Sequence, residues 1–187
     1  MGKSTLIREI SDTDVVGTEA PTSGEEASVK GTTTVGMEYG TLTVGDGPSS
    51  VELRLHGLPG QDRFRFMWDI VAEGADGLLL LVDATRPDSW TETAAMAHLL
   101  RSLGPAPLLV GVNRAGTDAD AVDRTVAALG LGDVPAVSCD VADPASARLA
   151  VVELLLLVLD GLDDLDDLDD LDDLDDLDEL DPEGDLR

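Results

Sequence analysis

The residues whose types could do chemistry begin at the start of the chain, in the run Gly2-Lys3-Ser4-Thr5. This run reproduces the second half of the phosphate-binding motif G-x-x-x-x-G-K-[ST]. In that motif backbone N–H groups surround the phosphates, the lysine reaches the β- and γ-phosphate oxygens, and the hydroxyl binds Mg²⁺. We therefore expect all four residues to contact the phosphates of a nucleotide, with Ser4 also binding Mg²⁺.

The stretch from residue 51 to residue 71 indicates a strand, a turn and a helix. Apolar residues at positions 51, 53 and 55 alternate with polar ones, which predicts a strand with one covered face. The turn Gly57-Leu58-Pro59-Gly60 ends that strand. An apolar stripe with spacings of three or four then predicts a helix that packs against the sheet; its members are Phe64, Met67, Trp68 and Val71.

The string from Leu58 to Phe64, LPGQDRF, resembles the second switch of bacterial Ras-like small GTPases of the gliding-motility and conservon-associated type. In Ras-like proteins a Gly-Gln pair at this place puts a backbone N–H on the terminal phosphate and an amide beside the attacking water. The resemblance implies that Gly60 binds nucleotide and that Gln61 is catalytic. It also suggests Arg63 as an internal arginine finger, although surface arginines are the ordinary alternative.

Two other segments resemble the parts of these proteins that face Mg²⁺. Gly31 to Val35 is similar to the Thr-rich first switch, in which one hydroxyl completes the metal shell, and Thr33 is our candidate. The alternative is that these threonines only lead into the strand 35–44, because β-branched residues favour strands. Gly57 stands where the wider Ras-like pattern has an aspartate that contacts Mg²⁺ through water.

The base-binding loops of the same family are matched in part. Asn113-Arg114-Ala115-Gly116 stands in the place of Asn-Lys-x-Asp, so Asn113 matches and Gly116 replaces the aspartate that reads guanine. The string Ser138-Cys139-Asp140 is similar to the last base-contacting loop, which implies that the Cys139 N–H meets the base. The expected ligands are therefore GTP or GDP with Mg²⁺, and ATP is not excluded.

The fold follows from apolar runs separated by helical patterns. The runs at 77–82, 108–112 and 134–137 predict buried parallel strands, while 35–44 and 51–56 predict an antiparallel hairpin. Helices are expected from Ser4, from Asp88 as an N-cap, from Asp118 as an N-cap and from Asp143-Pro144 to residue 159. Asp118 could reach the base only if its loop were rearranged. The prediction is an α/β, P-loop NTPase-like, doubly wound fold whose first strand and first half of the phosphate loop are missing before Met1.

Charge and composition divide the chain into a domain at 1–159 and an acidic tail at 160–187. The net charge is −27, which argues against nucleic acid or an anionic membrane as a direct partner. The tail repeats Asp-Asp-Leu, so its leucines spiral around a helix axis and form no stripe, and we expect it to be disordered or weakly helical. No secretory or membrane-inserting segment is seen, which makes the cytoplasm the expected location.

These observations favour a small GTPase-like switch that binds and hydrolyses GTP with Mg²⁺ and signals to protein partners through its switch loops. The alternative is a non-hydrolysing pseudo-GTPase that acts as an interaction module, which Gly57 and Gly116 favour. A measurement of whether the chain binds nucleotide distinguishes these two hypotheses.

Overall fold

The computed structural model describes residues 2–17, 19–21, 32–34, 37–60, 66–116, 118 and 120–172. Its helices are α1 Lys3–Ile10, α2 Phe66–Glu73, α3 Trp90–Leu103, α4 Ala121–Ala128 and α5 Pro144–Asp172. Its strands are β1 Glu19–Pro21, β2 Thr32–Thr34, β3 Glu38–Val44, β4 Val51–Gly57, β5 Leu78–Asp83, β6 Leu108–Asn113 and β7 Ala136–Ser138.

The parallel sheet contains the three predicted apolar strands in the order β5-β6-β7. The register places Asp83 beside Asn113 at one end of the sheet, and Val112 beside Ser138. Every residue of β6 is buried, as a central strand with both faces covered requires. The predicted mixed α/β class is confirmed, and the parallel sheet fits a P-loop NTPase-like fold.

The hairpin β3–β4 is antiparallel and forms a sheet of its own among the described residues. Its register pairs Glu38 with Gly57 and Val44 with Val51. A further antiparallel pair joins β1 to β2 and places Thr33 opposite Ala20. Within the described chain β4 and β5 are not paired with each other. The further strand that the sequence predicts between them stays a prediction.

Two apolar clusters lie on the two faces of the parallel sheet. Leu81 belongs to the cluster formed with α1 and α5, which includes Ile7 and Val151. Its chain neighbours Leu80 and Val82 belong to the cluster formed with α3 and α4. Because successive side chains of a strand point to opposite faces, β5 is covered by helices on both sides. This arrangement holds α1 beside the ends of the strands.

The packing of α2 differs from the prediction. Trp68 is buried in a cluster with Ala72, which also belongs to α2, and with Leu100 of α3. Helix α2 therefore packs mainly on α3 and less on the sheet. The Trp68 Nε1–H donates to the Pro59 carbonyl oxygen at 3.0 Å and so ties α2 to the turn before it. Positions 64 and 65 lie outside the described residues.

The predicted helix starts also need correction at two places. Asp88 lies inside a short 3₁₀ turn, Pro87–Ser89, and α3 begins after it, with the Thr93 hydroxyl donating to the Ser89 carbonyl at 2.8 Å. Asp118 precedes α4 by three residues, and its carboxylate accepts the Asp120 N–H at 3.0 Å. Both aspartates therefore lie in the turn before a helix and do not occupy the N-cap position.

The last helix runs well past the expected boundary at residue 159. Asp143 caps it by accepting the Ala145 N–H at 3.1 Å, as predicted, and the helix continues to Asp172. Extending an existing helix avoids the cost of nucleation, and leucine is a good helix former. These two effects outweigh the repulsion between carboxylates, which is roughly a few tenths of a kcal/mol per pair. Residues 173–187 lie outside the described part. No helix among the described residues is long and apolar enough to cross a bilayer.

Candidate functional site

The start of α1 carries the run that matches the phosphate-binding motif. Gly2 is the N-cap residue and has a left-handed backbone with φ of 99°. A Cβ atom on it would lie 2.7 Å from Val141 Cγ2, so only glycine fits there. Lys3 and Ser4 are half-buried in the first turn, and Thr5 is exposed. The N–H groups of a first helical turn lack acceptors within the helix and carry partial positive charge, which suits phosphate.

Asn113 ends β6 and is 2% exposed. Its Oδ1 accepts the Val141 N–H at 3.4 Å. Its Nδ2 lies 3.4 Å from the point where a Cβ of Gly2 would be. One buried amide therefore brings together the start of α1, the end of β6 and the loop after β7, which are three of the segments that the sequence predicts to surround a nucleotide.

The end of β7 and the loop after it contain the residues expected to meet the base. Ser138 is exposed, whereas Cys139 is fully buried and its N–H donates to the Val112 carbonyl at 2.9 Å. The expected contact between this N–H and a base stays a prediction. It requires the Cys139 N–H to give up its hydrogen bond to Val112 and donate to the base instead. Burial, and secondarily the charge of Asp140, raises the pKa of the Cys139 thiol to about 11, so the thiol stays protonated at neutral pH.

Gly116 lies in the loop after β6, with φ of 67° and no atom within 4 Å of a Cβ built on it. Asp118, the acid nearest in sequence that could replace a base-reading aspartate, is occupied by an ion pair with Arg124. This pair and the Asp120 N–H lower the pKa of Asp118 below its ordinary value. In this arrangement no side chain at position 116 reads a base.

A network that sequence reasoning missed lies beside this loop. The carboxylate of Asp83 is buried and accepts the Thr85 hydroxyl at 2.7 Å, the Thr85 N–H at 3.0 Å and Arg114 Nη1 at 2.8 Å. Burial alone would raise the pKa of Asp83, but the Thr85 hydrogen bonds and the Arg114 charge outweigh it and lower that pKa. Arg114 has a left-handed backbone with φ of 60°. The only signal in the sequence was an acid at the end of an apolar run.

The end of β4 lies against α1, and a turn follows it. Gly57 is buried, and a Cβ on it would lie 2.7 Å from Ile7 Cδ1. Pro59 is buried and Gly60 is half-buried. Gln61 and Arg63, the expected catalytic residues, lie outside the described residues. Thr33 has a backbone position in β2, and its side chain is not described.

The donor set fits a nucleotide-bound Mg²⁺ better than a protein-only metal site. Within the described chain no group of three His, Cys, Asp or Glu side chains could hold a metal ion. Mg²⁺ beside a nucleotide needs only one or two protein oxygens, because phosphates and water supply the others. Ser4, half-buried in the first turn of α1, carries an oxygen group of that kind.

Comparison with known proteins gives two kinds of match. Short matches connect part of the chain to Ras-related and ADP-ribosylation factor-like proteins. The Ras-related protein Rab-4B of Rattus norvegicus and that of Homo sapiens are each 32% identical over 77 residues, 41% of this chain and 36% of theirs. ADP-ribosylation factor-like protein 8b of Arabidopsis thaliana is 36% identical over 84 residues, 43% of this chain and 44% of its own. The chain thus spans less than half the length of these relatives.

A family model described as "conserved hypothetical ATP binding protein" matches residues 7–128. This range covers more than half of the 187 residues and includes Gly57, Asp83 and Asn113. The match does not include the run at 2–5 or the loop at 138–141. The assignment of those two segments to the site therefore rests on the geometry described above. On this match the chain belongs to the family of conserved hypothetical ATP-binding proteins.

Proposed function

We propose that this protein is a nucleotide-binding, GTPase-like switch that binds GTP or GDP, with ATP as a second ligand, and hydrolyses the triphosphate. The observation that carries the proposal is the contact of Gly2, Asn113 and Val141 at the N-terminus of α1. Strand ends, a helix N-terminus and a buried polar side chain meet there, as ligand sites of open α/β sheets do. The family match and the Ras-related relatives support the same class of ligand.

Each residue has a proposed role. Lys3 and the N–H groups of Gly2 to Thr5 bind the phosphates, and the Ser4 and Thr33 hydroxyls bind Mg²⁺, which would supply charge stabilisation at the phosphates. Gly60 donates its N–H to the terminal phosphate. Gln61 orients the attacking water, and Arg63 stabilises charge that develops as the phosphate leaves. Asn113, Ser138 and Cys139 hold the loops that face the base.

The experiment is an equilibrium titration of the full chain with a fluorescent GDP analogue. Lys3→Ala should weaken binding by about tenfold or more, since a charge-assisted contact to phosphate contributes about 1.5–3 kcal/mol. Arg54→Ala is the matched control, because Arg54 lies on β4 with a side chain 73% exposed. Equal affinities of the wild type and both variants would contradict the phosphate role of Lys3.

The alternative is a non-hydrolysing interaction module on the same fold. The empty surroundings of Gly116 and the ion pair that occupies Asp118 favour it, because they remove the usual means of reading guanine. A folded chain that binds neither GDP nor ATP would establish this alternative.

A further inference from the structure

Glu38 is a buried carboxylate to which the roles above assign nothing. It begins β3 and is 3% exposed. Arg8 approaches it, with Nη2 3.9 Å from Glu38 Oε1. A buried charge is costly unless it is paired and hydrogen-bonded. A buried carboxylate is therefore a group that takes a cation as its partner, and Arg8 shows that a cation can approach Glu38 from α1.

The space beside this carboxylate is closed to any side chain from the neighbouring strand. The register pairs Glu38 with Gly57. A Cβ on residue 57 would lie 3.1 Å from Glu38 Oε2 and 2.7 Å from Ile7 Cδ1, so a larger residue fits only if the Ile7 side chain moves. The carboxylate of Glu38 therefore occupies the place that an acidic side chain at residue 57 would take.

The helix with the phosphate-binding run lies against this same pair. Ile7 contacts Gly57 and Arg8 approaches Glu38. Ser4 precedes them by three and four residues and so lies on the same helix face, about 5.4 Å nearer the N-terminus. A half-buried hydroxyl and a buried carboxylate thus border one region. Mg²⁺ prefers oxygen ligands and is commonly held by one or two carboxylates together with phosphates.

We propose that Glu38 is the carboxylate that holds the nucleotide-associated Mg²⁺, in place of an acidic side chain at residue 57. This inference rests on the proposed nucleotide-binding function and deepens it by naming a metal-side residue on the first strand of the hairpin. Arg8 and Mg²⁺ compete for the same carboxylate. Arg8 neutralises Glu38 when no nucleotide is bound, and the metal displaces it on binding.

The test measures the affinity of the full chain for a fluorescent GDP analogue, once with Mg²⁺ and once with EDTA. The ratio of the two affinities is the magnesium gain. Glu38→Gln keeps the shape of the side chain and removes its charge, so the gain should fall by about tenfold while the affinity in EDTA stays unchanged. Glu52→Gln, on β4 with a side chain 64% exposed, is the matched control and should keep the full gain.

A second variant should strengthen the binding of Mg²⁺ instead of weakening it, and its result does not depend on whether Glu38→Gln folds. Arg8→Ala removes the competing cation from a side chain that is 54% exposed. The Mg²⁺ concentration that gives half of the gain should fall by about twofold or more. An unchanged gain in Glu38→Gln, or an unchanged Mg²⁺ midpoint in Arg8→Ala, overturns the role of Glu38 and leaves nucleotide binding standing. A wild-type chain that binds no GDP in either condition overturns both.

Discussion

The side chain of Asn113 joins the end of β6 to the loop after β7, because its Oδ1 accepts the Val141 N–H at 3.4 Å. On its other side Nδ2 faces Gly2, at 3.4 Å from the position of a Cβ there. Two segments far apart in sequence are thus held together by one amide that is 2% exposed. This makes Asn113 the structural centre of the proposed nucleotide site.

Replacing Asn113 with Ala should weaken both the fold and the binding of nucleotide. The Val141 N–H is left without its acceptor in a buried place, which costs about 1–3 kcal/mol of unfolding free energy. We expect nucleotide affinity to fall by about tenfold as the loops separate. Urea denaturation and GDP titration measure the two effects. Ser102→Ala, at an exposed position of α3, is the control and should change neither quantity.

The pair of Asp83 and Arg114 predicts a pH dependence of stability. Hydrogen bonds from Thr85 and the Arg114 charge hold the pKa of Asp83 below its ordinary value despite burial. A carboxylate with a lowered folded pKa adds stability above its unfolded pKa of about 3.9, and that stability is lost as the pH falls through the folded pKa. Asp83→Asn should therefore lower the free energy of unfolding at pH 7 by about 1–3 kcal/mol.

Below about pH 4 this difference between wild type and Asp83→Asn should narrow, because protonated Asp83 resembles asparagine. Asp133→Asn is the matched control. Asp133 pairs with Arg101 at 2.8 Å, but its side chain is 63% exposed, and exposed ion pairs contribute little to stability. A difference between wild type and Asp83→Asn that is constant from neutral to acid pH would contradict the assigned ionic role.

The contact between Gly57 and Ile7 can be tested with a double-mutant cycle. Gly57→Ala should destabilise the protein by about 1–3 kcal/mol, because the new Cβ overpacks against Ile7 Cδ1. Ile7→Val removes that Cδ1 atom, so the double variant should lose less than the sum of the two single losses. Gly74→Ala serves as the control, since nothing lies within 4 Å of a Cβ there. Additive losses would show that the two residues do not touch.

The protein should discriminate poorly between guanine and adenine nucleotides. Gly116 offers no side chain, and Asp118 is held by Arg124. We expect the affinities for GTP and ATP to differ by less than about a thousandfold, or ~4 kcal/mol. Competition of each nucleotide against fluorescent GDP measures the ratio. A larger preference for GTP that disappears in Asp118→Ala would mean that Asp118 leaves Arg124 and reads the base.

Local patterns in the sequence were sufficient for the parallel strands. The apolar runs at 77–82 and 108–112 can be buried only in the middle of a sheet, and β5 and β6 lie within one residue of those predictions. The hairpin was predictable because the turn from Gly45 to Pro48 separates two segments that each favour a strand.

Contacts that depend on register or on distant packing were not predictable. The placement of Glu38 beside Gly57 follows from a hairpin register that no short pattern specifies. The ion pair of Asp83 and Arg114 joins residues 31 apart in sequence and needs both strands in place. The interaction of Trp68 with α3 was missed because an apolar stripe shows that a helix is covered but not by which neighbour.

The most direct test of the central claim is hydrogen–deuterium exchange of the full chain with and without GDP and Mg²⁺. If nucleotide lies where Gly2, Asn113 and Val141 meet, amide exchange should slow by about tenfold or more in the segments 2–6, 113–116 and 138–142. Exchange in α4, Ala121–Ala128, should stay the same. Protection confined to other segments, or no protection at saturating nucleotide, would contradict the account.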